Sequence, residues 1–283
     1  MPPTPLTAEA LRILADECRL DVIDMLEKAG SGHPGGSFSA TDIIVTLFHS
    51  EIRMDPANPH WDDRDRFVLS KGHAVPALYA TLARKGAIPK EELGSLRQIN
   101  SRLQGHPDRV LLPVVEASTG SLGQGLSIAQ GIALGLKLKK SDARVFCLIG
   151  DGESQEGQIW ETAMSAPKFR LNNLVVFLDN NNGQIDGHVE NVMDIRPIAD
   201  KWRAFRWAVQ EIDGHSIPEI QAALATARAE KERPTMIVAR TVKGKGVSFM
   251  ENNIGWHGVA PSAQEAAAAR QEIRDRLAVR EAR

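Results

Sequence analysis

Apolar positions recur at helical spacing over residues 7–29, TAEALRILADECRLDVIDMLEKA, behind Thr7, a side chain suited to capping a helix start. The run GSGHPGG at 30–36 breaks that pattern and predicts a glycine-rich loop, after which FSATDIIVTLF resumes helical spacing. From there short runs of apolar and β-branched residues take over: DRFVLS (65–70), RVFCLIG (144–150), NLVVFLDN (173–180), RWAVQEI (206–212) and TMIVARTV (235–242). Helix-like stretches such as GQIWETAMSAPKFR and IPEIQAALATARAE separate most of them. Strands that are continuously apolar, not alternating, are buried on both faces. The pattern therefore predicts an α/β fold, a doubly wound, mostly parallel sheet with helices on both faces, spanning 1–283 as a single domain. Residues 261–283, PSAQEAAAARQEIRDRLAVREAR, are Ala-rich and charged, and predict a C-terminal helical tail that packs loosely or reaches a partner.

Composition narrows the functional classes. With 283 residues, 42% of them hydrophobic, a sizeable buried core is expected. The net charge of −2, from 34 basic and 36 acidic residues mixed along the chain, gives no footprint for nucleic acid or an anionic membrane. No apolar run of about 18 residues or signal-like start occurs, so a cytoplasmic location is the expectation. Cys18 and Cys147 are isolated, without metal-ligand spacing, and read as reduced core residues.

Candidate chemistry lies at the strand ends, where open parallel sheets bind ligands. Asp151, in GDGESQEG, follows one predicted strand, and Asn181, in LDNNNGQIDG, follows the next, with one βαβ unit between them. If those strands pair directly they lie about 4.8 Å apart, and the two side chains can converge on one ion. A carboxylate, an amide and a backbone carbonyl are hard oxygen donors, which favours Mg²⁺ or Ca²⁺, and such a sparse set implies a phosphorylated ligand that completes the shell. Gly152 and the helix starting near Glu156 could add backbone N–H groups to the same phosphates. The bland reading is that both stretches are turns, since Gly, Asp and Asn favour turns; neither matches a dinucleotide or lysine-bearing phosphate loop.

Four histidines occupy similar loops: His33 in SGHPGG, His73 in SKGHA, His106 in QGHPD and His257 in GWHG. Each alone is as well read as a structural histidine, but together they could hydrogen-bond an oxygen-rich anionic substrate and shuttle protons near neutral pH. Lys243 follows a predicted strand at the same edge, with a solvated lysine as the alternative. STGSLGQG (118–125) opens a helix of small residues that suits either a flat ligand or helix packing.

The ordered set SGHPGG, LSKGHA, GHPD, TGSLGQG, GDGESQEG, DNNNGQIDG, VKGKG and WHG resembles the N-terminal, diphosphate-binding domain of transketolases across nearly the whole chain. The resemblance implies the thiamin diphosphate-binding fold, with thiamine diphosphate and a divalent ion as cofactors. It implies that Asp151, the Asn181 side chain and the Gly183 carbonyl bind the metal. His73, Gly152 and His257 would meet the diphosphate, with Glu153 in the same turn and Lys243 nearby, and the backbone of Gly120, Ser121 and Leu122 would meet the aminopyrimidine. His33, His106 and His257 would face the sugar phosphate as catalytic residues, with His73, and Glu156 would match an acidic residue linking paired sites across a dimer. Gly183 and Ser121 depart from common family residues, a larger apolar side chain and a proline.

Coenzyme activation in this family needs a carboxylic acid from a pyrimidine-binding domain, and no residue here takes that role. The expectation is thus the N-terminal subunit of a split transketolase, completed by a separate C-terminal subunit in an α2β2 heterotetramer, transferring a two-carbon ketol unit between sugar phosphates, by family default the pentose phosphates. The alternatives are the α subunit of a 2-oxo acid dehydrogenase, against which the histidine loops and TGSLGQG argue, and a non-catalytic regulatory subunit that binds the coenzyme.

Overall fold

The computed structural model describes residues 6–282; residues 1–5 and 283, the ends of the predicted domain, lie outside it. Along the chain the elements run α1 (Ala8–Ala29), α2 (Pro34–Thr46), β1 (Arg66–Leu69), α3 (Val75–Arg84), α4 (Gln124–Leu138), β2 (Val145–Gly150), α5 (Gly157–Lys168) and β3 (Leu174–Asn180). They continue as β4 (Gly183–Gln184), β5 (Gly187–His188), α6 (Val189–Val192), α7 (Ile198–Ala204), β6 (Ala208–Asp213), α8 (Ile217–Ala229), β7 (Thr235–Arg240) and α9 (Ala263–Glu281). Five strands form one sheet in the order β1-β2-β3-β7-β6, every pairing parallel. The doubly wound α/β expectation holds, and a two-stranded antiparallel hairpin, β4-β5, is additional to it.

Burial on both faces follows the period of two within each strand. Phe146 and Leu148 of β2 join a core formed with α1, α2, α3, α8 and α9, whereas Val145, Cys147 and Ile149 join a second core with α4, α5 and α7. Cys18 belongs to the first core and Cys147 to the second, so the sheet separates these two free thiols. Burial pushes Cys18 up to about 12. Among the described residues no helix is long and apolar enough to cross a membrane.

Three expectations change. The predicted glycine loop is shorter, because Pro34 opens α2 and Gly35 and Gly36 lie in its first turn. Pro suits a first helical position, where its missing N–H costs nothing. α3 is additional to the helices that the apolar pattern assigns. The tail is also not loose. α9 starts with a capping box at Ser262 and Glu265 and lays Ala266, Ala269, Ile273 and Leu277, all buried, against the first core. Its arginines dock on α1: Arg276 Nε and Arg280 Nε stand 2.9 and 3.0 Å from Asp16 Oδ2, and Arg270 Nε stands 2.6 Å from Asp24. The average hydrophobicity of 261–283 hides this, because a narrow stripe of small and apolar residues suffices to seat a helix.

Ile273→Ala should therefore lower the free energy of unfolding by about 2–4 kcal/mol, read from denaturant titration. An unchanged midpoint would mean that α9 contributes nothing to the core.

Candidate active site

The site grows from the carboxyl ends of β2 and β3. Their register sets Gly150 opposite Asp179, so the turns that follow leave the sheet at one level. Asp151 is 2% exposed, and its carboxylate accepts N–H bonds from Gly152 at 2.7 Å and from Asn182 across the gap. Asn181, also buried, accepts from Gly183 N–H on Oδ1 at 3.0 Å and donates through Nδ2 to Ser39 Oγ and Asp179 Oδ2, both at 3.1 Å. Asp151, Asn181 and Gly183 line one cavity of about 320 Å³.

Beneath them lies a charge pair that the sequence reading did not single out. Lys71 Nζ and Asp179 form a buried ion pair, and Asp179 also accepts from Ser39 Oγ at 2.6 Å and from Thr241 Oγ1. Burial would raise the Asp179 carboxyl, but the Lys71 charge together with the hydrogen bonds from Lys71, Ser39 and Thr241 outweighs it and holds the group below the ordinary carboxylate range. One signal was available: Asp179 is a lone carboxylate closing an otherwise apolar run, LVVFLDN.

Asp151 has no such partner. Burial, followed by repulsion from Asp179, pushes its carboxyl up to about 7, and the two backbone N–H groups offset this only in part. A buried carboxylate that forms no ion pair among the described residues and lines one cavity with Asn181 and Gly183 fits a hard divalent cation. Among the described residues no cluster of three or more His, Cys, Asp or Glu side chains forms a metal site. This donor set thus holds one charge and neutral oxygens, which suits Mg²⁺ shared with phosphate oxygens.

The opposite wall is built from the histidine loops. His33 stands at the centre, with ring centroids 5.2 Å from His73, 6.3 Å from His106 and 5.8 Å from His257, and His73 stacks on His257 at 5.3 Å. The four loops that look alike in sequence meet in one place. Burial lowers all four imidazoles, His33 to about 4 and His257 to about 3, so they are neutral at physiological pH. Nδ1 of His33 is buried without a partner. Lys243 is buried and stands 3.0 Å from His257 Nδ1; as the ammonium donates there, the ring proton of His257 belongs on Nε2. Desolvation, then the Lys71 charge, bring Lys243 down to about 8.

Glycines allow this crowding. Gly120 has φ +148°, and a Cβ there would lie 2.9 Å from His106 Cδ2. Lys243 passes over two others: a Cβ would meet its Cγ at 3.0 Å from Gly35 and its Cδ at 2.7 Å from Gly183. At Gly183 the Lys243 side chain thus leaves no room for a Cβ without a shift.

Of the remaining candidates, Gly152, Leu122 and Glu156 line the cavity, Glu156 exposed at its edge, and Ser121 lies in the exposed turn beside Leu122. The Gly152 N–H is engaged by Asp151. Glu153 also lines the cavity, and its carboxylate accepts from Ser70 Oγ, Gly123 N–H at 2.9 Å and Gly150 N–H at 3.0 Å, stapling these segments together. Arg97, absent from the sequence reading, sits exposed beside His33 and His106, whose imidazoles its charge helps to keep neutral. No sequence signal marks it, since only the folded chain brings Arg97 to the histidines.

The family described as "Transketolase, thiamine diphosphate binding domain" matches residues 10–275. The chain is 44% identical over 245 residues to the 6-deoxy-6-sulfo-D-fructose transketolase subunit SqwG of Clostridium sp. (strain MSTE9), covering 87% of this chain and 89% of that protein. It is 38% identical over 272 residues to an apulose-4-phosphate transketolase subunit of Phocaeicola vulgatus, covering 96% of both. Human transketolase is 43% identical over 259 residues, 88% of this chain but 40% of that one. The crystal structure of Campylobacter jejuni transketolase superposes with a TM-score of 0.89 at 32% identity, over 95% of this chain and 43% of that chain. The chain thus spans less than half the length of those two transketolases. The α-subunit reading as a 2-oxo acid dehydrogenase gives way: this chain belongs to the transketolase family and carries the thiamine diphosphate-binding domain of these ketol-transferring enzymes.

Proposed function

We propose that this chain is the N-terminal subunit of a split transketolase, which a separate C-terminal subunit with a pyrimidine-binding domain completes in an α2β2 heterotetramer in the cytoplasm. The observation that carries the reading is the single cavity whose one wall is Asp151, Asn181 and Gly183 and whose other wall is four converging histidines. Two relatives of similar length support the split, since each is named as one subunit of a transketolase, and nearly all of each aligns with this chain.

In this reading Asp151, Asn181 Oδ1 and the Gly183 carbonyl hold Mg²⁺, with Ca²⁺ as the alternative hard cation. Lys243 and His73 stand beside the diphosphate, and the exposed turn Gly120, Ser121, Leu122 receives the aminopyrimidine. Bound there, thiamine diphosphate supplies an electron sink for the two-carbon fragment. The chain's own part is binding and proton placement. His257, its proton set on Nε2 by Lys243, donates into the cavity, and His33, at the centre of the four rings, offers its neutral imidazole to the sugar. His106 and Arg97 stand near His33 and together offer a hydrogen bond and a positive charge to an anionic sugar. The names of two relatives, a 6-deoxy-6-sulfo-D-fructose and an apulose-4-phosphate transketolase subunit, point to specialised anionic sugars, and transfer from a ketose phosphate to an aldose phosphate, by family default the pentose phosphates, is the reaction expected of the complete enzyme. In the same reading Glu156, exposed at the cavity edge, meets a second copy of the site.

Three outcomes are expected. Mixed with a partner that bears a pyrimidine-binding domain, the chain should transfer ketol groups with thiamine diphosphate and Mg²⁺, and neither chain alone should match the mixture; full activity of this chain by itself would overturn the split. Asp151→Ala should weaken Mg²⁺-dependent coenzyme binding at least about 100-fold, since even outer partners of metal sites are worth 10- to 100-fold; calorimetry with and without chelator reads this. The side-chain NMR signals of His33 and His257 should stay in their neutral positions from pH 8 down to about pH 5 and protonate near 4 and 3. These lowered values remove stability as pH falls from their unfolded value of about 6.5, because the unfolded chain then binds protons that the folded site refuses. Midpoints near 6.5 in the folded protein would contradict the neutral cluster.

A further inference from the structure

The turn after β6 reaches across to the loop that carries Lys243. β6 and β7 are neighbours, and beyond their ends Gly214 N–H donates to the Arg240 carbonyl at 2.7 Å. The next residue, His215, accepts the Val242 N–H on Nε2 at 2.8 Å. Its Nδ1 stands 2.7 Å from Asp42 Oδ2. A backbone N–H only donates, so Nε2 must present its lone pair and the ring proton must sit on Nδ1, directed at Asp42. Asp42 is fixed from the other side by Arg19 Nη2 at 2.6 Å, and Arg19 itself is held by Asp16 at 3.3 Å and by the Phe38 carbonyl at 3.2 Å. The imidazole is thereby clamped by α1 and α2, far along the chain from the loop that it supports.

That loop has backbone ties as well, among them Asn252 N–H to the Lys243 carbonyl at 2.9 Å. Thr241 N–H donates to the Asn180 carbonyl at 3.1 Å and Gly244 N–H to the Gly35 carbonyl at 3.0 Å, both backbone partners. Val242 N–H, directly before Lys243, is the one of these three satisfied by a side chain. We propose that His215 is a positioning residue: held by Asp42 as the Nδ1–H imidazole, it fixes Val242 and so sets Lys243 against His257 in the cavity. The geometric half stands by itself; its consequence for ligand binding rests on the diphosphate role given to Lys243 above.

The test uses the whole chain and two readouts. In His215→Phe, which keeps the ring but removes both hydrogen bonds, amide hydrogen exchange over 241–245 should quicken about fivefold, the worth of one hydrogen bond, while β2 and β3 exchange as before. His215→Gln, whose amide reaches the place of Nε2 and can accept from Val242, should restore most of the protection. Unchanged exchange in His215→Phe, or a rise spread over the whole sheet, would overturn the proposal. For the consequence, calorimetry with magnesium and inorganic pyrophosphate should give about tenfold weaker binding in His215→Phe, with recovery in His215→Gln and no further loss when His215→Phe is added to Lys243→Ala. Additive losses would show that His215 does not act through Lys243 and would overturn it. A wild-type chain that bound no magnesium pyrophosphate would count against the diphosphate reading of the site, and exchange over 241–245 would then decide the role of His215 alone.

Discussion

In the parallel pairing of β2 with β3, Gly150 stands opposite Asp179, so the chain leaves both strands at the same height and Asp151 comes within hydrogen-bonding reach of Asn182. A slip of one residue in that register would turn every side chain of the strand to the other face, burying Phe146 and Leu148 where Cys147 and Ile149 belong. The two cores forbid the slip, and in doing so they fix the site. The geometry of the candidate metal ligands is thus a by-product of apolar packing about the sheet.

The electrostatics of the cavity follow from what that packing buries. Lys71 and Asp179 are buried as a pair, with Ser39 and Thr241 supplying further hydrogen bonds to the carboxylate. A buried ion pair is a poor source of net stability, because desolvation offsets most of the attraction, yet losing one partner is costly. Its structural result here is that Lys71 pairs with Asp179 and leaves Asp151 outside any ion pair among the described residues, with a carboxyl raised by burial. On the facing wall burial keeps the imidazoles neutral in the presence of Lys71, Lys243 and Arg97. Neutral rings are able both to accept and to donate, which imidazolium ions cannot do.

The loops around the cavity are held from behind. Glu153 ties the Ser70, Gly123 and Gly150 segments, and a second network runs from Asp42 through Arg19 to Asp16, which also receives Arg276 and Arg280 from α9. The C-terminal helix is therefore joined by contiguous ion pairs to the residues that frame His215. Chemistry at the front of the sheet and helix docking at the back share the same charged groups.

Much of this was legible in the chain itself. Continuous apolar runs specified a two-faced parallel sheet because only such strands lose all contact with water, and GDGESQEG with DNNNGQIDG marked the cavity edge because glycine, aspartate and asparagine favour turns at strand ends and bring hard oxygen donors with them. The histidine loops could be collected as a set, but their meeting at centroid separations of 5.2–6.3 Å required the fold, since residues 33, 73, 106 and 257 are brought together only by long-range packing. The same holds for Lys71 with Asp179, for Arg97 beside His33, and for His215 beneath Val242. Sequence spacing carries information along one strand or helix, whereas ion pairs and hydrogen bonds between distant segments depend on which elements the core places side by side. The tail shows the reverse error: its composition reads as a helix that packs loosely or reaches a partner, yet four residues on one face of α9 were enough for the tertiary structure to seat it on the first core beside α1.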